Sequence, residues 1–165
     1  MKQFKIFVIV AIALVGAQTM NAQAKTAHVN IQEVLTKMPG VIDAQAQLKK
    51  LGETYSAEYK TMVDEYQAKI KKYDAEANTA GEAENQKRQV EVQDMAKRIG
   101  DYQDNAQKEL QKKEGDLMNP LNEKVLASIK KVGKAKGYQY VLNSAQLLLA
   151  DGPDLTADVK KDLGF

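Results

Sequence analysis

The sequence predicts an α+β fold that is mostly α-helical, in which a small β-rich body carries a long antiparallel helical hairpin, the arm. Residues 41–136 contain one proline, Pro120, and are rich in Ala, Gln, Glu and Lys, which favour helices. Apolar residues recur along this stretch with a helical period. Segments with strand character lie only outside it, at residues 25–30 and 138–150. The body is therefore expected to form from the two ends of the chain.

The first 24 residues are expected to be a signal peptide that is removed. They contain a positively charged region with Lys2 and Lys5, continue with an apolar run at residues 6–15, and end in an A-x-A cleavage site at Ala24. Cleavage after Ala24 is the first expectation, and cleavage after Ala22 is the second. The apolar run is shorter than the roughly 20 residues that a membrane span needs. The chain has no cysteine for a lipoprotein anchor or a thiol nucleophile, so an exported, soluble protein is expected.

Net charge gives no support for a nucleic-acid partner. The formal charge of the whole chain is +2, and removal of the two signal-peptide lysines brings it to about zero. Long-range attraction to nucleic acid or to an anionic membrane is therefore not expected, and only a local cluster of basic residues would supply it.

After the signal peptide, the sequence predicts a short strand and a short helix. Residues 25–30 alternate apolar and polar side chains, as a half-buried strand does. Asn30 is a suitable N-cap for a helix over residues 31–38, with Glu33 three positions further on. Pro39-Gly40 is expected to end that helix.

The first long helix of the arm is predicted from Val41 to about Ala77. Its apolar residues follow one another in steps of four and three, which gives an 11-residue repeat. The helix after the turn has the same rhythm, with Lys113 in one expected apolar position. Such a repeat predicts a nearly straight or slightly right-handed helix pair. The repeat positions are Ala44, Leu48, Leu51, Tyr55, Tyr59, Met62, Tyr66, Ile70, Tyr73 and Ala77, then Met95, Ile99, Tyr102, Ala106, Leu110, Leu117 and Leu121.

The turn of the hairpin is predicted near residue 79. Asn78 suits the left-handed position that ends a helix, and Thr79 to Glu82 fits the capping box of a new one. So short a connection joins antiparallel helices, and one unbroken helix is the alternative. A turn at this place sets Pro120 opposite Pro39-Gly40, which marks the base of an arm roughly 55–60 Å long.

A hinge is predicted close to that base, at Gly115 and Pro120. The second helix is expected to continue past Pro120 to Lys136, either straight or kinked at Pro120, and Gly137 then ends it. Bending between Gly115 and Pro120 would swing the whole arm relative to its base. Close packing of the helices at Gly115 is the alternative explanation for that glycine.

The C-terminal segment is expected to contain two more strands and a short helix. Residues 138–143 and 146–150 have strand character and a connection that suits a hairpin. The Asp-Gly-Pro-Asp sequence at residues 151–154 has the composition of a turn. A last helix is predicted at residues 157–163, capped by Asp154 or Thr156.

These elements divide the mature chain into a body, residues 25–40 and 119–165, and an arm, residues 41–118. Three short strands and two short helices, about 60 residues, cannot bury much apolar surface alone. The strand edges also need covering. Self-association through the body is therefore expected, although the pattern alone leaves the number of subunits open.

The sequence does not predict an enzyme. His28 is the only histidine and lies on a predicted strand, where a structural role is favoured. We find no phosphate-binding glycine loop, nucleophile elbow or histidine metal motif in the sequence. No catalytic residue, metal, cofactor or ATP-driven mechanism is therefore expected, and the many carboxylates fit solvated helix faces.

The mature chain resembles the Skp/OmpH family of periplasmic chaperones. The resemblance rests on His28-Val29-Asn30, Met38-Pro39, the long charged hairpin, residues 137–142 (GYQYVL) and residues 154–159 (DLTADV). It implies a jellyfish-like homotrimer in the periplasm, whose bodies associate and whose arms enclose a cavity. It further implies a holdase that binds unfolded outer-membrane proteins there without ATP, prevents their aggregation and aids outer-membrane assembly. A structural coiled-coil tether or spacer of the cell envelope is the alternative function.

Tyrosines on the arm are the candidate residues for binding such client proteins. One interpretation places them in the seam between the helices, with their hydroxyls at its rim. The other turns part of them towards the cavity, where tyrosine and methionine hold varied apolar segments weakly. Both can hold at once, since a tyrosine is wider than the seam needs. The candidates are Tyr55, Tyr59, Met62, Tyr66, Tyr73 and Tyr102.

A basic band is predicted near the tip of the arm. It comprises Lys69, Lys71 and Lys72 on the first helix, and Lys87 and Arg88 on the second. An ordinary solvated face is one interpretation of this band. Attraction of acidic clients or lipid headgroups, screened beyond roughly 8–10 Å in physiological salt, is the other.

Overall fold

The computed structural model describes residues 24–165, so the predicted signal peptide lies outside the described part of the chain except for Ala24. The predicted fold class is confirmed: the structure is mostly α-helical, with two long helices and a small sheet. The elements are strand β1 (Thr26–Val29), helices α1 (Ile31–Lys37), α2 (Pro39–Ala80) and α3 (Glu82–Ala135), strand β2 (Tyr140–Asn143), a 3-10 turn (Ser144–Gln146) and helix α4 (Thr156–Leu163).

The described chain forms two compact units. The first contains the residues up to Leu35 together with Lys124–Phe165, and it is called the body below. The second, Thr36–Glu123, is called the arm. Helix α3 contributes its residues up to Glu123 to the arm and its remaining residues to the body.

The sheet of the body has two parallel strands. β1 pairs with β2 in the register Thr26 to Tyr140 through Val29 to Asn143. The predicted hairpin between residues 138–143 and 146–150 is wrong. The side chain of Asn143 accepts a hydrogen bond from the Ala145 N–H at 3.2 Å, which starts a 3-10 turn in place of a β-turn. Residues 147–150 consequently have no strand partner within the described chain.

On its other side, β1 is held by the loop before α4. The His28 N–H donates to the Pro153 carbonyl at 2.9 Å, and the Leu155 N–H donates to the His28 carbonyl at 2.9 Å. Thr156 continues this attachment, because its hydroxyl accepts from the Asn30 N–H at 2.9 Å. Asp154 accepts from the Thr156 N–H at 2.8 Å, but α4 starts at Thr156 and its N-cap position is Leu155, so neither Asp154 nor Thr156 is the N-cap. The segment before α4 and the start of α4 are therefore fixed to β1 and to Asn30.

The body has a small apolar core. Its α3 portion approaches β2 closely at Gly133, where an added Cβ would lie 2.8 Å from Cγ2 of Val141. Helix α4 is also tied to α1 by an ion pair between Lys160 and Glu33 at 2.7 Å. The buried apolar residues of the body are Ala27, Val29, Val34, Val125, Ile129, Val132, Leu155 and Val159.

Two of the predicted helix caps in the body are confirmed. The Glu33 N–H donates to Oδ1 of Asn30 at 2.9 Å, so Asn30 caps α1 as its sequence context indicated. Helix α3 runs through Pro120 to Ala135, as predicted, and Gly137 follows it with φ of 76°, a backbone angle that favours glycine.

The arm is an antiparallel hairpin, but its turn lies two residues later than predicted. Helix α2 continues to Ala80, and Gly81, with φ of 80°, is the single residue between the helices. Thr79 is not an N-cap: its hydroxyl donates to the Glu76 carbonyl at 2.9 Å inside the last turn of α2. Asn85 instead reaches across the turn and donates to the Ala77 carbonyl at 2.8 Å.

Helix α2 also starts two residues earlier than predicted, at Pro39. Proline suits the first turn of a helix because it lacks the N–H that has no partner there. Met38 is the single residue between α1 and α2, and Pro39-Gly40, predicted to end α1, begins α2. Gly40 permits close contact, since an added Cβ would lie 3.0 Å from Cδ2 of Leu121 on α3.

The apolar repeat forms the seam between α2 and α3, and this seam is only half covered. Most of the repeat positions are half-buried, whereas Lys113 is exposed. Every residue between 45 and 124 keeps more than a small part of its surface in contact with solvent in the single chain. Within residues 24–165, none of the helices combines the length and apolar composition that a membrane span requires.

Candidate functional site

An aromatic cluster occupies the middle of the seam. The rings of Tyr55 and Tyr102 contact each other edge to face, with centroids 6.2 Å apart and planes at 79°. The hydroxyl of Tyr102 donates to Oε2 of Glu58 at 2.6 Å. These contacts link α2 to α3 and fix the orientation of both rings.

A groove of about 290 Å³ lies beside this pair and is called the aromatic groove below. Tyr59 lines it and is 36% exposed, more than the other tyrosines of the arm. Apolar surface is available there without unfolding the hairpin. The lining residues are all uncharged: Gly52, Tyr55, Ser56, Tyr59, Tyr102, Gln103, Ala106, Gln107 and Leu110.

The phenol of Tyr102 stays protonated at physiological pH. Burial beside the seam, followed by the hydrogen bond to Glu58, raises the pKa of Tyr102 to about 12. The groove therefore contains at Tyr102 a neutral phenol held in one orientation.

Tyr73 has a different environment, close to the tip of the arm. Its hydroxyl donates to one carboxylate oxygen of Glu91, and the ammonium group of Lys69 donates to the other. The guanidinium of Arg88 lies over the Tyr73 ring, 4.7 Å from the centroid. Arg88 also pairs with Glu76 at 2.8 Å. Lys69, Tyr73, Glu76, Glu84, Arg88 and Glu91 together are called the tip network below.

The electrostatics of the tip network agree with this geometry. The hydrogen bond from Lys69 and then that from Tyr73 lower the pKa of the Glu91 carboxyl. The same bonds to Glu91 raise the pKa of the Lys69 ammonium and the pKa of the Tyr73 phenol. Arg88 makes a further contact of 3.4 Å to Glu84, so acidic side chains surround the network's two cations.

The tip network separates the predicted basic band into two groups. Lys69 and Arg88 are half-buried and paired with carboxylates, so much of their charge is compensated locally. Lys71, Lys72 and Lys87 are exposed. Sequence reasoning missed Glu76 and Glu91, although the antiparallel hairpin placed acidic residues opposite the lysines and was a usable signal.

The other predicted client-binding residues lie on the seam outside the aromatic groove. Met62 and Tyr66 are half-buried on α2, between the groove and the tip network. The structure thus brings Tyr55, Tyr59 and Tyr102 together in one groove and places Tyr73 in a separate, polar environment.

The predicted hinge residues lie on α3. A Cβ added to Gly115 would meet, within 4 Å, only Nδ2 of Asn119, at 3.6 Å, which is an ordinary contact. Gly115 therefore does not serve a close approach of the two helices, the alternative explanation for this glycine. Pro120 is exposed within the continuous helix.

His28 has a structural role in the body. Its side chain is buried, and Nε2 shares a hydrogen bond of 2.9 Å with the Gly152 carbonyl. Nδ1 lies 3.9 Å from the Asp154 carboxylate. Burial alone would raise the pKa of Asp154, but hydrogen bonds from Thr156 lower it below its ordinary value. Among residues 24–165, no three His, Asp or Glu side chains are grouped as a metal site would require.

Comparison with known proteins gives the same architecture over most of the chain. The OmpH-like outer membrane protein family matches residues 25–163. The Chaperone protein Skp of Pectobacterium atrosepticum is 20% identical over 153 residues, which cover 92% of this chain and 93% of that protein.

A solved structure from Caulobacter crescentus, described as a candidate outer membrane chaperone of the OmpH-like type, has the same fold. It superimposes with a TM-score of 0.77 at 18% identity, covering 86% of this chain and 85% of the other. At that identity the likeness establishes the fold alone. Because the family match extends over nearly the whole described chain, this protein belongs to the OmpH-like outer membrane protein family.

Proposed function

We propose that this protein is an ATP-independent holdase chaperone of the periplasm that binds unfolded outer-membrane proteins. The observation that carries the proposal is the half-covered seam of the arm, with its exposed aromatic groove. Such a seam offers apolar contacts along a charged helical surface. Family membership and the relative named a chaperone support the same class of function.

Weak contacts repeated along several arms would retain a client without ATP. Each contact is short-lived, but a client held among several arms meets the next contact at high effective concentration. The tyrosines of the aromatic groove suit this mode of binding, since they combine apolar rings with polar rims. The holdase would thereby prevent aggregation and deliver clients for outer-membrane assembly.

Several arms require several copies of the chain, and a homotrimer is the assembly that we propose. The body presents apolar side chains that its own core does not cover: Leu148 is fully exposed, and Leu149 is 75% exposed. Tyr140 and Leu142 on β2 are also exposed. In the described chain β2 pairs only with β1, so its outer edge is available to another copy.

Export to the periplasm is part of the proposal. The family match begins at residue 25, the residue that cleavage after Ala24 would make the first of the mature chain. This agreement supports removal of the first 24 residues as a signal peptide.

The exposed lysines near the tip are the remaining candidates for contact with acidic clients or lipid headgroups. Reversal of Lys71, Lys72 and Lys87 to Glu should reduce capture of an acidic unfolded protein at low salt, with unchanged helicity by circular dichroism. The paired Lys69 and Arg88 stay in place, so the tip network is preserved. Capture that is unaffected at low salt would assign these lysines to an ordinary solvated face.

The holdase function is tested by dilution of an unfolded β-barrel membrane protein from urea. The mature chain, residues 25–165, should keep it soluble without nucleotide, and light scattering should stay low. The mass in solution, measured by light scattering after size-exclusion chromatography, should be that of a trimer. A monomer that leaves aggregation unchanged would overturn the proposal and favour a tether or spacer function.

A further inference from the structure

We propose that the aromatic groove is a pocket for one aromatic side chain of a client segment, and that Gly52 keeps it open. The inference rests on the proposed function for its client, an unfolded polypeptide. It adds the chemical class of the side chain that is bound and the residue that makes room for it.

Gly52 is unusual for its place in the molecule. It lies in the interior of α2, where glycine is unfavourable relative to alanine, and it is half-buried at the edge of the seam. A Cβ added there would meet nothing within 4 Å. No close approach of backbone or side chain therefore requires a glycine. Because Gly52 has no side chain, space remains beside Tyr55 and Tyr59, which line the same groove.

Charge complementarity selects an uncharged occupant. Of the whole sequence, 28% of the residues are Asp, Glu, Lys or Arg, yet none of them lines the groove. A charged side chain would lose hydration there, and the nearby Glu58 carboxylate already accepts the hydrogen bond of Tyr102. An uncharged ring would lose little and bury apolar surface.

The arrangement of the rings selects an aromatic occupant. Tyr55 and Tyr102 meet edge to face, and Tyr102 is fixed in place by its hydrogen bond to Glu58. An entering phenyl or phenol ring can repeat this geometry against Tyr55 or Tyr59, with centroids about 4.5–7 Å apart. Ser56 and Gln103 line the same groove and provide hydrogen-bonding groups for a phenol or for the client backbone.

The test uses two glycine variants of the mature chain and three labelled peptides. Gly52→Leu fills the groove. Gly100→Leu is the matched control, because a Cβ there also meets nothing within 4 Å and Gly100 does not line the groove. Both changes replace glycine by a better helix former, so neither should weaken the arm. The peptides are identical except for Phe, Leu or Ser at alternate positions, and fluorescence anisotropy gives their affinities.

We expect the wild type to bind the Phe peptide more tightly than the Leu or Ser peptide. Gly52→Leu should weaken binding of the Phe peptide about tenfold, and Gly100→Leu should leave it within about twofold. In the wild type, the Phe peptide should shift the ring resonances of Tyr55, Tyr59 and Tyr102, and leave those of Tyr138 and Tyr140 in the body unchanged. This measurement reports on the groove even if Gly52→Leu disturbs the hairpin.

Two results would overturn the proposed aromatic pocket. One is that Gly52→Leu and Gly100→Leu bind the Phe peptide with equal affinity. The other is that the wild type binds the Phe and Leu peptides with equal affinity. Either result can occur while the protein still keeps a β-barrel protein soluble, so it does not count against the holdase function. Conversely, Gly52-dependent binding of the Phe peptide by a chain that fails to prevent aggregation would retain the pocket and refute the holdase proposal.

Discussion

At the scale of single residues, Tyr102 and Tyr73 lie in the same seam but have different environments, because different side chains surround them. Tyr102 contacts Tyr55 and donates to Glu58 at the aromatic groove, whereas Tyr73 donates to Glu91 under the Arg88 guanidinium. The sequence marks both as repeat positions and cannot distinguish them, since their polar partners come from the opposite helix. We therefore propose Tyr55, Tyr59 and Tyr102 as client contacts and Tyr73 as a structural residue.

The ionisation of Tyr102 is the first prediction. Its pKa in the folded protein is raised from 10.0 to about 12, so the folded state binds this proton more tightly than the unfolded chain does. The resulting stabilisation is fully present below pH 10 and is lost as the pH rises towards 12. The ultraviolet difference titration between the wild type and Tyr102→Phe should therefore show a phenolate transition near pH 12. A transition near pH 10 would contradict the environment described for this residue.

At the scale of elements, the close spacing between α3 and β2 requires a glycine at one position of α3 and not at another. Gly133 is required because an added Cβ would lie 2.8 Å from Val141 on β2, whereas a Cβ at Gly100 would be in open space. Gly133→Ala should destabilise the protein by about 1–3 kcal/mol through overpacking. Gly100→Ala should stabilise it by up to about 1 kcal/mol. Denaturant unfolding of both variants measures the difference, and a stabilising Gly133→Ala would refute the close contact.

Gly115 tests the proposed hinge in α3. Its Cβ position is free of close neighbours, so Gly115→Ala should stiffen the helix without steric cost. In the proposed trimer, spin labels near the tips of the arms should then give a narrower distribution of distances than in the wild type. Gly100→Ala is the control for added helix propensity alone. Equal distributions in all three proteins would place the flexibility elsewhere or exclude it.

The elements that the sequence predicted well are those specified by local chemistry. The 11-residue repeat predicts both helices of the arm, Asn30 predicts the start of α1, and Gly137 marks the end of α3. One error, at the tip of the arm, concerns a choice between competing local signals. The turn of the hairpin lies at Gly81, although Asn78 and Thr79 also suited a turn. Glycine adopts the positive φ of this position without a steric cost.

Long-range pairing is where sequence reasoning failed. Residues 146–150 have strand character, but they form a strand only if another strand pairs with them. In the described chain β2 pairs with β1 instead. β1 and β2 come from opposite ends of the chain and pair in parallel, which no local turn signal indicates. Glu76 and Glu91 in the tip network were also missed, since each pairs with a cation on the opposite helix.

At the scale of the whole molecule, the apolar residues that the body leaves exposed should determine assembly. Leu148 and Leu149 follow the 3-10 turn, have no strand partner in the described chain, and are the most exposed large apolar residues there. In a soluble protein such a segment favours burial against another copy. The outer edge of β2 in another copy has unpaired backbone N–H and C=O groups to which this segment could hydrogen-bond.

Replacement of both leucines by Asp should therefore convert the proposed trimer into monomers at micromolar concentration. Burial of six carboxylate charges across the trimer would be unfavourable, whereas the core of the isolated body, to which these side chains do not contribute, should remain folded. Val90→Asp is the matched control, because Val90 is 56% exposed on the arm. Light scattering gives the mass, and circular dichroism gives the helicity. A double variant that stays trimeric with unchanged stability would place the interface on another surface of the body.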